Sequence, residues 1–350
     1  MMIQKSSSIK SRSSWCLLVL RRNSSHSQIR SNGQVVEKKQ HDGLYLQKSK
    51  GQHLLTNTRV LDSIVRSSHV RPTDTVLEIG PGTGNLTMKL LQAANHVVAV
   101  ELDKRMVDIL RTRVSGHGFL HKLTIIQKDV LKTDFPEFDL VVANIPYNIS
   151  SPLVAKLVYG SNSFRSATLL LQKEFSRRLL ANPGDSDFNR LAMNVRLLAD
   201  VKFVMDVSKR EFVPPPKVDS SVVMITPKEV KPDVNVQEWL SFTRACFGNK
   251  NKTLGSMFRQ KKKVMELLSL SQVGITRNAS FDQGENQVLC LDTDASVFKE
   301  RVIEILKSNG FEDKRPSKLS HSELLHLLSL FNQAGIFFHS LPLDLLLHDY

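Results

Sequence analysis

A short, mostly apolar run, Thr75–Ile79, ends in Gly80-Pro81-Gly82-Thr83-Gly84, and a helical pattern over Leu86–Ala93 follows at once. A buried strand that enters a glycine-rich turn and leaves as a helix is the opening of a βαβ unit. The alternation continues. His96–Val100 reads as a strand, Arg105–Val114 as a helix, and Leu123–Gln127 and Leu140–Ala143 as strands, with Ala167–Gln172 and Val222–Ile225 later. Thr58–Ser67 precedes them with Val60, Leu61, Ile64 and Val65 at helical spacing. Repeated βαβ units predict an α/β fold: a parallel sheet with helices on both faces. At 350 residues, 41% apolar and 23% charged, the chain has enough material for roughly two such cores.

The texture changes at Thr226–Asn235, where Pro227, Pro232 and alternating charges suggest a linker. Beyond it the segments read as helices. Trp239, Leu240, Cys246 and Phe247 share one face, and so do Val297, Phe298, Val302, Ile305 and Leu306, closed by Gly310. Ser320-His321-Ser322-Glu323 is a capping-box pattern before Leu324–Phe331. Residues 271–292 read as an irregular insertion. No stretch reaches the about 18 apolar residues of a membrane span; Trp15–Leu20 is too short, and Pro342 and Asp344 interrupt Leu341–Leu347. Cys16, Cys246 and Cys290 lie far apart and form no metal spacing, so neither a disulfide framework nor a structural metal is expected.

Charge is uneven in kind. The net charge is +14, which points to a polyanionic partner. Six of the positive charges, Lys5, Lys10, Arg12, Arg21, Arg22 and Arg30, lie in residues 1–36, which hold ten serines and no acid. That is the composition of an organellar import peptide, mitochondrial ahead of plastid. A secretory signal fits worse, because the apolar run is six residues long and two arginines follow it. A basic tail touching RNA is the plainer alternative.

The glycine turn suggests a ligand. A dinucleotide pattern, GxGxxG, needs glycine at 85, where Asn85 stands. The spacing suits a smaller nucleoside ligand such as S-adenosylmethionine, although a tight structural turn is a competing explanation. Glu101 ends the next strand, 21 residues after Gly80, where a carboxylate accepts both hydroxyls of a ribose. Asp103 reads instead as the cap of the following helix. Asp129 ends the third strand, where it can accept from an adenine amino group. Acids at successive strand ends sit where open α/β sheets bind ligands.

Asn144-Ile145-Pro146-Tyr147 follows the strand Leu140–Ala143. It fits the chemistry of methylating an exocyclic amine. Such a nitrogen is a poor nucleophile, because its lone pair is delocalised into the ring. Two acceptors, the Asn144 side-chain oxygen and the Ile145 carbonyl, can hold its hydrogens and favour a pyramidal nitrogen. Pro146 stiffens the segment, and Tyr147 offers a face to an extruded base. An amide, unlike a carboxylate, is compatible with holding both NH2 and NHCH3, hence with two successive methylations. Further on, Lys250, Lys252, Arg259, Lys261, Lys262 and Lys263 fall within 14 residues, interleaved with Phe247 and Phe258. With a nucleobase site elsewhere in the chain, phosphate contact is the favoured reading and a solvated helix face the alternative. Lys48 and Lys50 are further candidates for the RNA backbone; Tyr45 and Phe281 have no assignable role.

Four strings together carry a resemblance: Gly51-Gln52-His53-Leu54-Leu55, Glu78–Gly84, Asn144-Ile145-Pro146-Tyr147-Asn148-Ile149-Ser150, and Phe212-Val213-Pro214-Pro215-Pro216-Lys217-Val218-Asp219-Ser220. In this order they resemble the KsgA-type small-subunit rRNA adenine dimethyltransferases. Phe247–Leu254 and Lys318–Ile336 are more similar to the eukaryotic branch. The resemblance covers about residues 44–340. It implies a Rossmann-like methyltransferase domain over 44–226 and a smaller helical, RNA-contacting domain over 235–350. It further implies S-adenosylmethionine as methyl donor, two adjacent adenosines near the 3′ end of small-subunit rRNA as substrate, and the pre-ribosomal small subunit as partner. By motif, the cofactor contacts His53, Leu55, Gly80, Gly82, Glu101, Asp129 and Asn144, and Phe212 stacks on the target base opposite Tyr147. No metal and no membrane partner are implied, and a monomer is expected. The eukaryotic relatives act in the nucleolus, whereas the leader suggests a mitochondrial member. A non-catalytic transcription or ribosome-assembly factor on the same scaffold is the competing reading. A small-molecule methyltransferase is a weaker one, against which the basic charge and the helical appendage argue.

Overall fold

The computed structural model describes residues 52–268 and 295–338. The leader, Tyr45, Lys48, Lys50, Gly51, the segment 271–292 with Phe281 and Cys290, and Leu341–Leu347 lie outside the described residues.

The sheet forms where the apolar runs predict it. The strands β2 (Thr75–Ile79), β3 (His96–Val100), β4 (Leu123–Ile126), β5 (Leu140–Asn144) and β6 (Ser166–Gln172) pair in parallel, in the order β4-β3-β2-β5-β6. The central strands are buried on both faces, which is why they read as apolar runs rather than alternating ones. Helix α1 (Thr58–Ser67) is capped by Asn57, whose side chain accepts from the Arg59 and Val60 amides. Helices α2 (Asn85–Ala93), α3 (Lys104–Gly116) and α4 (Ser150–Tyr159) follow β2, β3 and β5.

The sheet is not wholly parallel, a correction to the sequence expectation. After β6 come α5 (Lys173–Leu180), α6 (Arg190–Leu198) and then β7 (Ala199–Val207). A short strand β8 (Phe212–Val213) and β9 (Ser220–Pro227) complete the set, and β9 inserts antiparallel between β6 and β7. The reason is the connection. Residues 208–219 hold no crossover helix, and a strand returning through a short loop pairs antiparallel. A separate two-stranded pair joins β1 (Leu54–Leu55) to β8, with Leu54 opposite Val213 and Leu55 opposite Phe212.

The C-terminal part is helical: α7 (Val236–Cys246), α8 (Leu254–Phe258), α9 with described residues 261–268, α10 (Ala295–Ser308) and α11 (His321–Gln333). Ser320 and Glu323 form the capping box at α11, and Gly310, at φ 70°, lets the chain leave α10 with the Phe311 amide bonded to the Leu306 carbonyl. These helices share a core with α4 and α6. Ala155, Tyr159, Ala192 and Met193 pack in one cluster with Trp239, Phe242, Phe258, Phe331 and Phe338. The His321 ring nitrogen Nε2 also meets the Met193 carbonyl at 2.6 Å. All described residues belong to one compact unit.

Phe331 is fully buried, and its ring lies 5.5–6.3 Å from those of Phe338, Phe258 and Phe242. Phe331→Ala is expected to lower the unfolding free energy by about 3–5 kcal/mol. Urea unfolding of the full chain measures it, and a loss under about 1 kcal/mol would mean that this cluster carries little of the stability.

Candidate active site

Strand order fixes where a ligand can sit. From β2 the chain moves outward through β3 and β4, then returns to the other side of β2 at β5. The loops leaving β2 and β5 therefore diverge, and the crevice between them is the switch point of an open α/β sheet. The glycine turn, Glu101, Asp129 and Asn144 follow β2, β3, β4 and β5 in turn, all at strand carboxyl ends.

Gly80 has φ 66°, and its amide donates to the Val100 carbonyl at 3.0 Å. A Cβ there would lie 3.3 Å from Pro146 Cδ and 3.6 Å from the Asn144 carbonyl oxygen, so the turn lies close against the Asn144–Tyr147 string. Gly84 has φ 85° and opens α2, and a Cβ on it would press on Leu110 at 2.5 Å. Asn85 does what the sequence did not reveal. Its Nδ2 donates to the Leu55 carbonyl at 2.8 Å, and its Oδ1 accepts from Arg113 Nη1 at 2.7 Å. Arg113 also donates to the Thr83 carbonyl, so an amide and a guanidinium clamp the turn between β1 and α3.

Glu101 spans the same turn. Its Oε2 accepts from the Gly82 amide at 3.2 Å and its Oε1 from the Asp103 amide at 2.9 Å. Burial raises its carboxyl above the ordinary range; these two amides pull it back, and the Asp103 charge pushes it up further. Asp103 caps α3, as its place before the helix predicts, and also accepts from Gln52 Nε2 at 3.0 Å. The Arg105 guanidinium holds its carboxyl well below the usual range. Leu102, between the two acids, is 63% exposed, an apolar lip that only its position in an acidic string could have flagged. Asp129 Oδ1 accepts from the Leu131 amide at 3.0 Å, capping a single 3-10 turn, Val130–Lys132.

Asn144 Nδ2 donates to the His53 carbonyl at 3.2 Å, which leaves Oδ1 with no donor among the described residues. Ile145 is buried, and its amide donates to the Leu170 carbonyl. A hydrogen bond of 2.8 Å links the Tyr147 hydroxyl to Ser220 Oγ, and burial pushes the phenol pKa up. The Tyr147 ring stacks with His53, centroids 5.9 Å apart and planes 24° apart. His53 Nδ1 donates to the Pro214 carbonyl at 2.8 Å. Residues 52–55 thus form a strap whose contacts reach Asp103, Asn144, Tyr147, Gly82 and Asn85.

Phe212, expected opposite Tyr147, is 2% exposed, in the core cluster with Leu55, Leu61 and Val222, and so is closed to a base in this structure. In an extended strand alternate side chains face opposite ways, and pairing of β8 with β1 sends Phe212 inward and leaves Val213 47% exposed. The ring against Tyr147 is that of His53.

The basic cluster divides. Lys250 Nζ donates to the Ser186 and Phe188 carbonyls at 2.7 and 2.8 Å, an internal clamp rather than a free cation. Arg259 pairs with Glu312, and Lys263 with Glu266 at 3.0 Å. Lys252, Lys261 and Lys262 are exposed. Sequence reasoning passed over Arg210 and Lys217, exposed on the loop that holds Pro214 against His53. Among the described residues there is no group of three His, Cys, Asp or Glu side chains that could hold a metal, and no helix long and apolar enough to cross a membrane.

Sheet order and site together define a Rossmann-like methyltransferase. A family model described as "Ribosomal RNA adenine dimethylase" matches residues 44–290, and the chain belongs to that family. It is 76% identical to the "Ribosomal RNA small subunit methyltransferase, mitochondrial" of Arabidopsis thaliana, covering 94% of each chain. It is 42% identical to the "Dimethyladenosine transferase" of Saccharomyces cerevisiae, over 82% of this chain and 89% of that one. Among solved structures, a dimethyladenosine transferase from Plasmodium falciparum aligns with TM-score 0.71 and 38% identity, covering 81% of this chain and 99% of that one. The 23S rRNA methyltransferase ErmE shares the fold, with TM-score 0.54 and 23% identity over 80% of this chain and 100% of that one.

Glu78, on β2 below the turn, is 1% exposed, and its Oε2 has no partner among the described residues. Burial, reinforced by the charge of Glu101, pushes its carboxyl from 4.5 up to about 8. Folding therefore favours the protonated form. The stabilisation is complete below pH 4.5 and is lost as pH rises through about 8. Glu78→Gln, neutral throughout, is expected to lack that decline and so to gain on the wild type between about pH 5 and about pH 9. Urea unfolding of both proteins across that range checks it; parallel pH curves would show that Glu78 ionises in the fold as it does in the unfolded chain.

Proposed function

We propose that the protein dimethylates the N6 amines of two adjacent adenosines near the 3′ end of small-subunit rRNA, with S-adenosylmethionine as donor, in mitochondria. The observation that carries this reading is the contact of Gly80 with Pro146, beside an Asn144 Oδ1 free to accept. The turn suits the cofactor: Gly80, Gly82 and Gly84, all at positive φ, let the backbone turn tightly against Pro146, Leu54 and Leu110, and the Glu101 carboxylate lies across it on the Gly82 and Asp103 amides. Glu101 holds the ribose hydroxyls, Asp129 the adenine amino group, and the strap with His53 and Leu55 covers the bound molecule. The cofactor, when bound, supplies a methyl group on a sulfonium.

The chain's own residues do the rest by position and electrostatics. Asn144 Oδ1 and the Ile145 carbonyl accept the amine hydrogens and aim its lone pair. Pro146 keeps that pair of acceptors rigid, and Tyr147, fixed by Ser220, gives the base a face. RNA phosphates meet Lys252, Lys261 and Lys262 on the helical part, residues 235–350, and Arg210 and Lys217 beside the site carried by residues 44–226. Residues 1–36 serve as the import leader, and the substrate is met on the maturing small subunit.

Asn144→Ala is expected to lower turnover by about 10²–10³-fold, as losing a fixed polar group at a reacting centre does. Tyr147→Ala should lose about 1–3 kcal/mol of base stacking, and Tyr147→Phe should keep most of it. Methyl transfer to small-subunit RNA, with mono- and dimethyladenosine counted separately by mass spectrometry, is the test. A folded Asn144→Ala that dimethylates at the wild-type rate removes the catalytic assignment of Asn144, whereas a wild type that transfers no methyl to this RNA favours a binding factor.

A further inference from the structure

Helix α4 starts where the catalytic string ends, with one 3-10 turn, Tyr147–Ile149, between them. Lys156 on α4 reaches away from that string to the turn after β4. Its Nζ donates to the carbonyls of Val130 at 3.0 Å, Leu131 at 3.0 Å and Thr133 at 2.7 Å. It also stands 4.8 Å from the centroid of the Phe135 ring. These carbonyls belong to the turn that Asp129 opens. Within it, the Asp129 carbonyl accepts from Thr133 Oγ1 at 2.6 Å and from the Lys132 amide at 3.0 Å, while its Oδ1 takes the Leu131 amide.

Val130 packs in the core and Leu131 against it, but among the described residues the hydrogen bonds to the carbonyls of Val130, Leu131 and Thr133 come from Lys156. β4 is the last strand on its side of the sheet and ends at Ile126, three residues before Asp129. A single 3-10 turn has few hydrogen bonds of its own. Val130 is 7% and Thr133 3% exposed, so water is poorly placed to replace the ammonium. An ammonium has three donors and no acceptor, which matches a ring of converging carbonyls.

We propose that Lys156 is the positioning residue for Asp129. It fixes the turn so that the carboxylate meets the adenine amino group of the cofactor, and it ties that end of the pocket to the helix that follows the amine clamp. This rests on the reading that Asp129 accepts from the adenine amino group.

The test is equilibrium binding, by calorimetry, of two ligands: S-adenosylhomocysteine and its analogue with hydrogen in place of the adenine amino group. Wild type is expected to prefer the amino form by roughly tenfold or more, the scale of one hydrogen bond to a charged acceptor. Lys156→Met keeps the stem and removes the donors; its preference should fall to within about twofold, and adding Asp129→Asn should change it no further. A merely structural lysine would weaken both ligands equally and leave the preference intact. Lys156→Gln, which keeps one donor, is the second variant, with thermal unfolding recorded for each. Wild type binding both ligands equally overturns the reading of Asp129 and with it this role. A wild-type preference that survives in folded Lys156 variants overturns the role of Lys156 alone. Loss of folding in both variants assigns Lys156 to the fold and overturns it too.

Discussion

Gly80 against Pro146 sets the distance between the two chemistries of this protein. The backbone of the turn after β2 lies so close to the segment after β5 that a Cβ would sit 3.3 Å from the proline ring. That closeness exists because β2 and β5 are neighbours in the sheet, though 60 residues of chain lie between the end of β2 and the start of β5. A turn able to hold a nucleoside and an asparagine able to hold an amine are thereby placed side by side without a hinge. Proline fixes one wall and positive φ the other. A side chain at position 80 would have to push the walls apart.

The strap is the second half of the design. Gln52 bonds Asp103, the His53 carbonyl accepts from Asn144, Leu54 and Leu55 meet the glycine turn at Gly82 and Asn85, and β1 is held by its pairing with β8. The electrostatics run in opposite senses inside and outside. A chain of +14 net charge places Glu101 and Asp129 at the strand ends around this one crevice. Local acids suit a cationic sulfonium and a ribose, while the outer excess of lysine and arginine suits a polyanion. Half of the sequence's most basic run has partners within the protein: Lys250 on the Ser186 and Phe188 carbonyls, and Arg259 and Lys263 in surface ion pairs with Glu312 and Glu266. Lys252, Lys261 and Lys262 and the loop with Arg210 and Lys217 are left as exposed cations for the proposed RNA contact.

What the sequence made legible was local. β2 and β3 announced themselves as apolar runs, Asp103 as a cap, Gly310 as a helix stop and Ser320–Glu323 as a capping box. β7 did not, because it is an edge strand. Asp200, Lys202 and Asp206 interrupt it, and its register shifts between Phe203 and Met205. Phe212 was assigned to the base by motif, but its orientation depends on which strand β8 pairs with, a long-range fact. The same holds for Asn85, Lys250 and Lys156. Each is a polar side chain whose hydrogen-bond partners lie between 23 and 64 residues away, where no spacing rule reaches. The chemistry-bearing strings were visible; the residues that hold them still were not.

The proposed function requires that the glycine turn and the Asn144–Tyr147 string form one site. The most direct measurement is a crystal structure of the protein bound to S-adenosylhomocysteine. The account requires the ribose at Glu101, the adenine at Asp129, and the sulfur facing Asn144 and Tyr147 across Pro146. A product bound away from the glycine turn, or with its sulfur turned from Asn144, would contradict it.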